Sequence, residues 1–130
     1  AVFDTCSLAR GRLYRLQIHL DRLLSSAKAA RLPLPFGSGE SISRQKMVDI
    51  IKATARASGQ QTCDVRYWLT AGTGNLGVTP AGCATGFYVL TFGGLPTDPA
   101  WHTQGIPEAS IPVSVVPHKP AHLAELKSNK

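Results

Sequence analysis

The sequence predicts an α+β domain with a mainly antiparallel sheet and two helices on one of its faces. Segments with an apolar period of two stand at the start of the chain and in its second half, and two segments with a helical period stand between them. The chain has 130 residues, 43% of them hydrophobic, which is enough for one packed domain.

The first predicted elements are a hairpin and an amphipathic helix. Residues 2–8 alternate in polarity, residues 10–12 (Arg-Gly-Arg) are a turn signal, and Leu13-Tyr14 begins a returning strand. A helix is expected from residue 15 to residue 31, where two prolines follow and cannot continue it. Its apolar face is formed by Leu16, Leu20, Leu23, Leu24 and Ala27.

A second helix and three strands are expected further along. Ser41 or Ser43 is a candidate N-cap, and Gly59 suits the C-terminal end of the helix. The apolar stripe of this helix comprises Met47, Ile50, Ile51, Thr54 and Ala55. Strands are expected over residues 62–70, 86–92 and 111–116, with residues 71–77 as a glycine-rich loop.

Composition argues against several classes of protein. No apolar run reaches about eighteen residues, so we expect no membrane-spanning helix. The three cysteines form no Cys-x-x-Cys pair, so we expect no metal site, and reduced thiols indicate an intracellular protein of the cytoplasm or an organelle matrix, plastid or mitochondrion. The net charge is +6, but the basic residues are scattered from Arg10 to Lys130, so we do not expect nucleic-acid binding.

Three segments, in this order, resemble the pyridoxal-phosphate-dependent aminotransferases of fold type IV, the group of the D-amino-acid and branched-chain enzymes. The first is residues 2–5 (Val-Phe-Asp-Thr) with residues 13–16 (Leu-Tyr-Arg-Leu). The second is residues 19–23 (His-Leu-Asp-Arg-Leu) with residues 25–28, and the third is residues 117–120 leading to residues 126–129 (Leu-Lys-Ser-Asn). Between them, residues 65–72 resemble a strand and glycine loop of plant members.

The resemblance implies a pyridoxal 5'-phosphate site. Arg22 matches the arginine that contacts the cofactor phosphate, a role that suits the planar, permanently charged guanidinium. Lys127 matches the Schiff-base lysine, whose amine also moves the substrate α-proton. The alternatives are that Arg22 is an ordinary exposed residue beside Asp21 and that Lys127 belongs to a solvated basic terminus.

The resemblance also implies substrate contacts. Phe3 and Thr5 match first-strand positions that face the substrate pocket, although their shared side of the strand fits a core role equally well. Arg66 matches an arginine at the active-site wall of branched-chain relatives, and its alternative role is to pair with Asp64. Leu76 and Val78 stand where bacterial D-amino-acid enzymes carry an arginine and a histidine. A plant-type D-amino-acid transaminase, a branched-chain enzyme and an aminodeoxychorismate-lyase-like activity stay open.

The resemblance covers only part of a family member. We expect residues 1–116 to form the small α+β domain and residues 117–130 to be an interdomain segment that carries the cofactor lysine. Family members continue for roughly another domain, so we expect this chain alone to be inactive and the complete form to be a homodimer acting on an amino acid and a 2-oxo acid. The alternative is a truncated, non-catalytic paralogue that serves as a subunit of a larger assembly.

Overall fold

The computed structural model describes residues 1–37, 39–74, 81–94, 98–112 and 120–128. A four-stranded antiparallel sheet in the order β2-β1-β3-β4 is formed by β1 (Val2–Ala9), β2 (Arg12–Leu13), β3 (Cys63–Thr73) and β4 (Ala84–Phe92). The long helices are α1 (Leu16–Ala29) and α2 (Glu40–Ala57), and two single-turn helices, α3 (Trp101–Gln104) and α4 (Ala121–Ala124), follow the sheet. The predicted α+β class is therefore confirmed.

The helices cover one face of the sheet, and the core lies between. The predicted apolar face of α1 is confirmed, because all five of its residues are buried. Every second residue of β1 and β3 meets this face, and the alternation follows from the pleat of a strand. Fully buried core side chains from the helices and β3 include Leu20, Leu23, Met47, Ile51, Tyr67 and Leu69.

The start of α2 differs from the prediction. The helix begins at Glu40 after Gly39, and no side chain caps it. Ser43 is instead buried and donates a hydrogen bond of 2.6 Å to the carbonyl oxygen of Pro35, which holds the chain before the helix against its first turn. The predicted stripe is confirmed at Met47, Ile51 and Ala55, whereas Ile50 lies on the exposed side.

The strand limits also differ from the prediction. β3 continues through residues 71–73, which were expected to be loop, because a register shift between Thr70 and Thr73 lets the strand bend and stay paired with β4. In the expected third strand, residues 111–112 are irregular and residues 113–116 lie outside the described part of the chain. Leu76 and Val78 lie outside it too. No described helix is both long and apolar enough to cross a bilayer.

Candidate functional site

The two faces of β1 present different chemistry. Asp4 points to the helix-covered face and is fully buried, whereas Phe3 and Thr5 are half-buried on the opposite face. We call this opposite side, on β1, β3 and β4, the open face of the sheet. The alternation of β1 therefore puts the predicted pocket residues on the open face and not in the core.

Cross-strand pairing arranges the open face in rows. Phe3 pairs with Trp68, which in turn pairs with Tyr88, so three aromatic residues lie side by side across three strands. In the next row, Thr5 pairs with Arg66, and Arg66 pairs with Leu90. Neighbours of this kind lie about 5 Å apart at Cβ, which brings their side chains into contact. Tyr88 and Leu90 are 54% and 52% exposed, so this apolar surface is open to a ligand.

Arg66 is held at the centre of the open face by polar and aromatic contacts. Its Nε donates a hydrogen bond of 2.9 Å to the hydroxyl of Thr5. Its guanidinium carbon lies 5.7 Å from the ring centre of Phe3 and 5.1 Å from that of Phe92. Among the described residues no acid pairs with Arg66, and Asp64 accepts a hydrogen bond from Ser7 instead. The remaining guanidinium donors can therefore bind a carboxylate.

Lys127 reaches the same face from the edge of β1. The amide of Phe3 donates a hydrogen bond of 2.9 Å to the carbonyl of Lys127, and Val2 forms an antiparallel bridge with Ser128. The amide of Lys127 lies 3.3 Å from the hydroxyl of Ser26 on α1. The exposed amine lies 5.3 Å from the ring centre of Phe3, within the range of a cation–π contact.

Arg22 lies on the helix-covered side and binds the buried carboxylate of Asp4. Its Nε donates to Oδ2 at 2.7 Å and its Nη2 donates to Oδ1 at 2.6 Å, a bidentate ion pair. Nδ1 of His19 lies 3.2 Å from the same Oδ1. Within the described chain, Nη1 of Arg22 has no hydrogen-bond acceptor, and 51% of the side chain is exposed. This fixed fork leaves two N–H donors directed away from Asp4.

The electrostatics of this cluster keep Asp4 charged. Burial by itself raises the pKa of Asp4, but hydrogen bonds from Arg22 and the Thr5 amide, together with the positive charge of Arg22 and the contact with His19, outweigh it. The pKa of the carboxyl therefore lies below its ordinary value of 3.8. Beneath the cluster, burial raises the pKa of the Cys6 thiol to about 11 and holds the pKa of Tyr67 far above its usual value, so both stay neutral.

The structure thus brings four of the five predicted site residues together. Phe3, Thr5, Arg66 and Lys127 share the open face, where Arg66 contacts both Thr5 and Phe3, and Lys127 contacts Phe3. Arg22 makes no hydrogen bond, ion pair or ring contact with these four among the described contacts. It is linked to them through Asp4, the residue between Phe3 and Thr5, and through α1, which carries Ser26 one turn after Arg22.

Comparison with known proteins identifies the family. The family model described as amino-transferase class IV matches residues 1–130, the whole chain. The chain belongs to the class IV aminotransferases. Its resemblance to fold-type IV enzymes, drawn from three short segments, is therefore confirmed.

Individual relatives of this class IV aminotransferase chain agree with the assignment. A chloroplastic D-amino-acid transaminase of Arabidopsis thaliana is 35% identical over 128 residues, 98% of this chain and 31% of the relative. A putative branched-chain-amino-acid aminotransferase of Methanocaldococcus jannaschii is 29% identical over 82 residues, 63% of this chain and 26% of the relative. The chain therefore spans about a third or less of the length of these relatives.

A solved structure has the same fold. The branched-chain amino acid aminotransferase of Escherichia coli superposes on this class IV aminotransferase chain with a TM-score of 0.59 and 22% identity, covering 71% of this chain and 30% of the other. At that identity the likeness concerns the fold alone.

Sequence reasoning missed several residues of the site in this class IV aminotransferase chain. Trp68 and Tyr88 complete the aromatic row, and Asp4 fixes Arg22. The rows depend on the register in which the strands pair, and the pattern of residues along the sequence does not give that register. A signal for Asp4 did exist, because an acid at a core-facing strand position requires a cationic partner.

Proposed function

We propose that this chain supplies one wall of the active site of a pyridoxal-phosphate-dependent transaminase that moves an amino group between an amino acid and a 2-oxo acid. The observation that carries the proposal is the open face, where the exposed amine of Lys127 lies 5.3 Å and the guanidinium carbon of Arg66 lies 5.7 Å from the ring centre of Phe3, and no described acid pairs with Arg66. Such a surface offers a nucleophilic amine, a carboxylate-binding cation and an aromatic wall side by side.

The chemistry of the residues on the two sides of β1 fits the cofactor, with a guanidinium for its phosphate and an amine for its aldehyde. Arg22 would hold the phosphate through the Nη1 donors that Asp4 leaves free, and Lys127 would be its covalent attachment point. When bound, pyridoxal phosphate supplies the electron sink that stabilises the charge left by removal of an α-proton. Lys127 would carry that proton, and Arg66 would orient the substrate through its carboxylate.

The remaining assignments rest on this proposal. We infer that residues 1–116 are the small domain and residues 117–130 the segment that delivers Lys127, in line with the contacts of residues 127–128 on β1. The complete enzyme would be a homodimer of the D-amino-acid or branched-chain type. The name of the Arabidopsis relative favours a D-amino-acid substrate and a plastid location over the other organelle matrices or the cytoplasm.

Cofactor trapping tests the role of Lys127. The complete polypeptide that contains this sequence is incubated with pyridoxal phosphate, reduced with borohydride and mapped by peptide mass. We expect the adduct on Lys127, and we expect Lys127→Ala to lose the adduct and at least about 10³-fold in turnover, since a nucleophile that acts in several steps is removed. Lys28→Ala, an exposed lysine of α1, is the control and should behave as the wild type.

Three outcomes count against the proposal. An adduct on another lysine, or turnover retained by Lys127→Ala, removes Lys127 from its role. A complete polypeptide that takes up no cofactor, shows no turnover with D-amino acids or branched-chain L-amino acids, and purifies only within a larger assembly supports the non-catalytic subunit instead.

The phosphate role of Arg22 is tested with Arg22→Lys, which keeps the charge beside Asp4 but loses the fork. We expect the dissociation constant of pyridoxal phosphate to rise about tenfold or more while that of pyridoxal, which has no phosphate, changes little. Arg44→Lys, which alters the guanidinium paired with Asp21 in the helical layer, is the matched control. Equal losses for both cofactor forms would refute the assignment.

A further inference from the structure

A cleft lies at the end of the molecule away from the open face. It has a volume of about 840 Å³, is open to solvent on one side and is bordered by the β1–β2 hairpin, the start of α1 and the end of α2. This is in the upper part of the range of about 300–1,000 Å³ found for small-molecule pockets. We call it the hairpin cleft. Leu8, at its floor, lies five residues along β1 from Phe3, roughly 16 Å at the rise of an extended strand.

Four cations surround the hairpin cleft. Arg12 comes from the hairpin, Arg15 from the residue before α1, and Lys52 and Arg56 from successive turns of α2. No acidic residue is among the described residues that line it. Three separate elements therefore bring like charges together, although like charges repel and proteins normally intersperse them with acids.

These cations have no anionic partners within the described part of the chain. The ion pairs there involve Asp4 with Arg22 and His19, and Asp21 with Arg44. Of the four, Arg15 alone has a described side-chain contact, with its guanidinium 5.2 Å from the Tyr14 ring centre. All four side chains are exposed at the mouth of the cleft and available to an anion.

The floor of the hairpin cleft has the opposite character. It is formed by Leu8, Leu16 and Ala55, which belong to the core, with Leu13 beside them. An apolar floor under a cationic rim matches a ligand with an apolar body and an anionic head, because the body is removed from water while the head stays among the charges. The amides of Gln17, Gln60 and Gln61 line the same space and can bind further oxygen atoms of such a head.

We propose that the hairpin cleft binds a small amphipathic anion, with a carboxylate or phosphate head and an apolar body, at a site separate from the cofactor site. Its separation from the open face makes the two sites independent, so a saturating concentration of pyridoxal phosphate does not displace the ligand. Binding in the hairpin cleft is independent of the proposed transaminase function.

Ligand titration of the complete polypeptide tests the proposal. Octanoate and octyl phosphate are the probes, 1-octanol is the uncharged match, and acetate and inorganic phosphate lack the apolar body. We expect one or both octyl anions to bind at least about tenfold more tightly than octanol, acetate or inorganic phosphate, and the better of the two identifies the head group. Added salt should weaken binding severalfold, since the four cations are exposed to solvent.

Charge variants locate the site. Lys52→Gln should weaken binding of the better octyl anion about threefold to tenfold, because it removes one exposed positive charge. The double variant Lys52→Gln with Arg56→Gln should weaken binding further. Lys28→Gln has the same change of charge on an exposed helical lysine outside the cleft, and it should bind as the wild type does. Glutamine is a good helix former, so the variants are expected to fold, and the salt dependence of the wild type provides a second measurement.

Several results would overturn the proposal. One is the absence of saturable binding of either octyl anion at millimolar concentration, which would also be the result if another part of the polypeptide or a partner covers the cleft. Another is an affinity for octanol, acetate or inorganic phosphate equal to that for the octyl anions. A third is an equal loss of affinity for the better octyl anion in Lys28→Gln and Lys52→Gln. Displacement by pyridoxal phosphate would assign the binding to the cofactor site.

Discussion

At the scale of single residues, the buried carboxylate of Asp4 organises one side of the candidate site. It accepts two hydrogen bonds from Arg22 and one of 2.7 Å from the amide of Thr5. An unpaired buried charge destabilises a fold, so Asp4 needs cationic and hydrogen-bonding partners. The same interactions hold those partners in place. Asp4 therefore acts as a positioning residue for Arg22 and not as a group of the open face.

Replacing Asp4 with asparagine should destabilise the fold. A carboxamide at this position has only one acceptor oxygen, and its NH2 group would face a donor of Arg22, so the free energy of unfolding should fall by about 1–2 kcal/mol. A larger loss is not expected, because Arg22 is half-exposed and returns partly to water. Urea unfolding measures the effect. Asp21→Asn, which removes an exposed partner of Arg44, should cost about 1 kcal/mol or less, and equal costs would contradict the role of Asp4.

The same pair predicts a pH dependence. Asp4 has a folded pKa below the ordinary value of 3.8, so its stabilising contribution is complete above that value and is lost as the pH falls through 3.8 towards the folded pKa. The difference in unfolding free energy between wild type and Asp4→Asn should therefore be largest near about pH 5 and shrink towards about pH 2.5. A difference that grows on acidification would show that Asp4 is protonated in the fold.

At the scale of secondary structure, the distorted stretch of β3 depends on Gly72. Its φ is +90°, and a Cβ at this position would overlap the carbonyl group of Ala84 on β4. The register shift between Thr70 and Thr73 brings the two backbones this close. A change of rotamer cannot relieve this overlap, because the Cβ atom itself collides with main-chain atoms of the paired strand.

Gly72→Ala should therefore lower the free energy of unfolding by much more than an altered backbone freedom alone would. We expect a loss of about 3 kcal/mol or more in unfolding free energy, together with faster amide exchange along β3 and β4. Gly59→Ala is the matched control, since Gly59 has φ +67° but open space around it, and it should cost about 1–2 kcal/mol. Similar losses for the two variants would mean that the contact with Ala84 does not limit the fold.

At the scale of the whole molecule, residues distant in sequence meet at one edge of β1. Lys127 is joined by its carbonyl to Phe3 and by its amide to Ser26, so residues 2–3, α1 and residues 126–128 form one unit. This arrangement sets where the amine of Lys127 enters the open face. The position of the proposed cofactor lysine therefore depends on the packing of α1 as well as on the local strand.

Ser26→Ala tests this link. The hydroxyl is buried and its bond to the Lys127 amide is long, so the unfolding free energy should change by about 1 kcal/mol or less. Exchange of the Lys127 amide, measured by hydrogen–deuterium exchange of the complete polypeptide, should nevertheless become faster. Ser25→Ala, on the exposed side of α1, should leave that exchange unchanged. Unchanged exchange in Ser26→Ala would separate Lys127 from α1.

The sequence predicted most of the elements and the family through local signals. The spacing of five apolar residues places α1, alternation places β1, and short motifs around Arg22 and Lys127 indicate the aminotransferase fold, because these signals are local. It did not determine the start of α2 or the end of β3, since Ser43 binds Pro35 rather than capping a helix, and Gly72 stays in a strand through pairing with β4.

Which side chains meet depends on how the elements pack in three dimensions. Register makes Phe3, Trp68 and Tyr88 one row, and helix packing pairs Arg22 with Asp4, eighteen residues apart. The contact of Lys127 with Phe3 and the ring of cations around the hairpin cleft arise in the same way. Such contacts depend on how elements are paired and oriented in space. Local propensity and periodicity do not give that pairing or orientation.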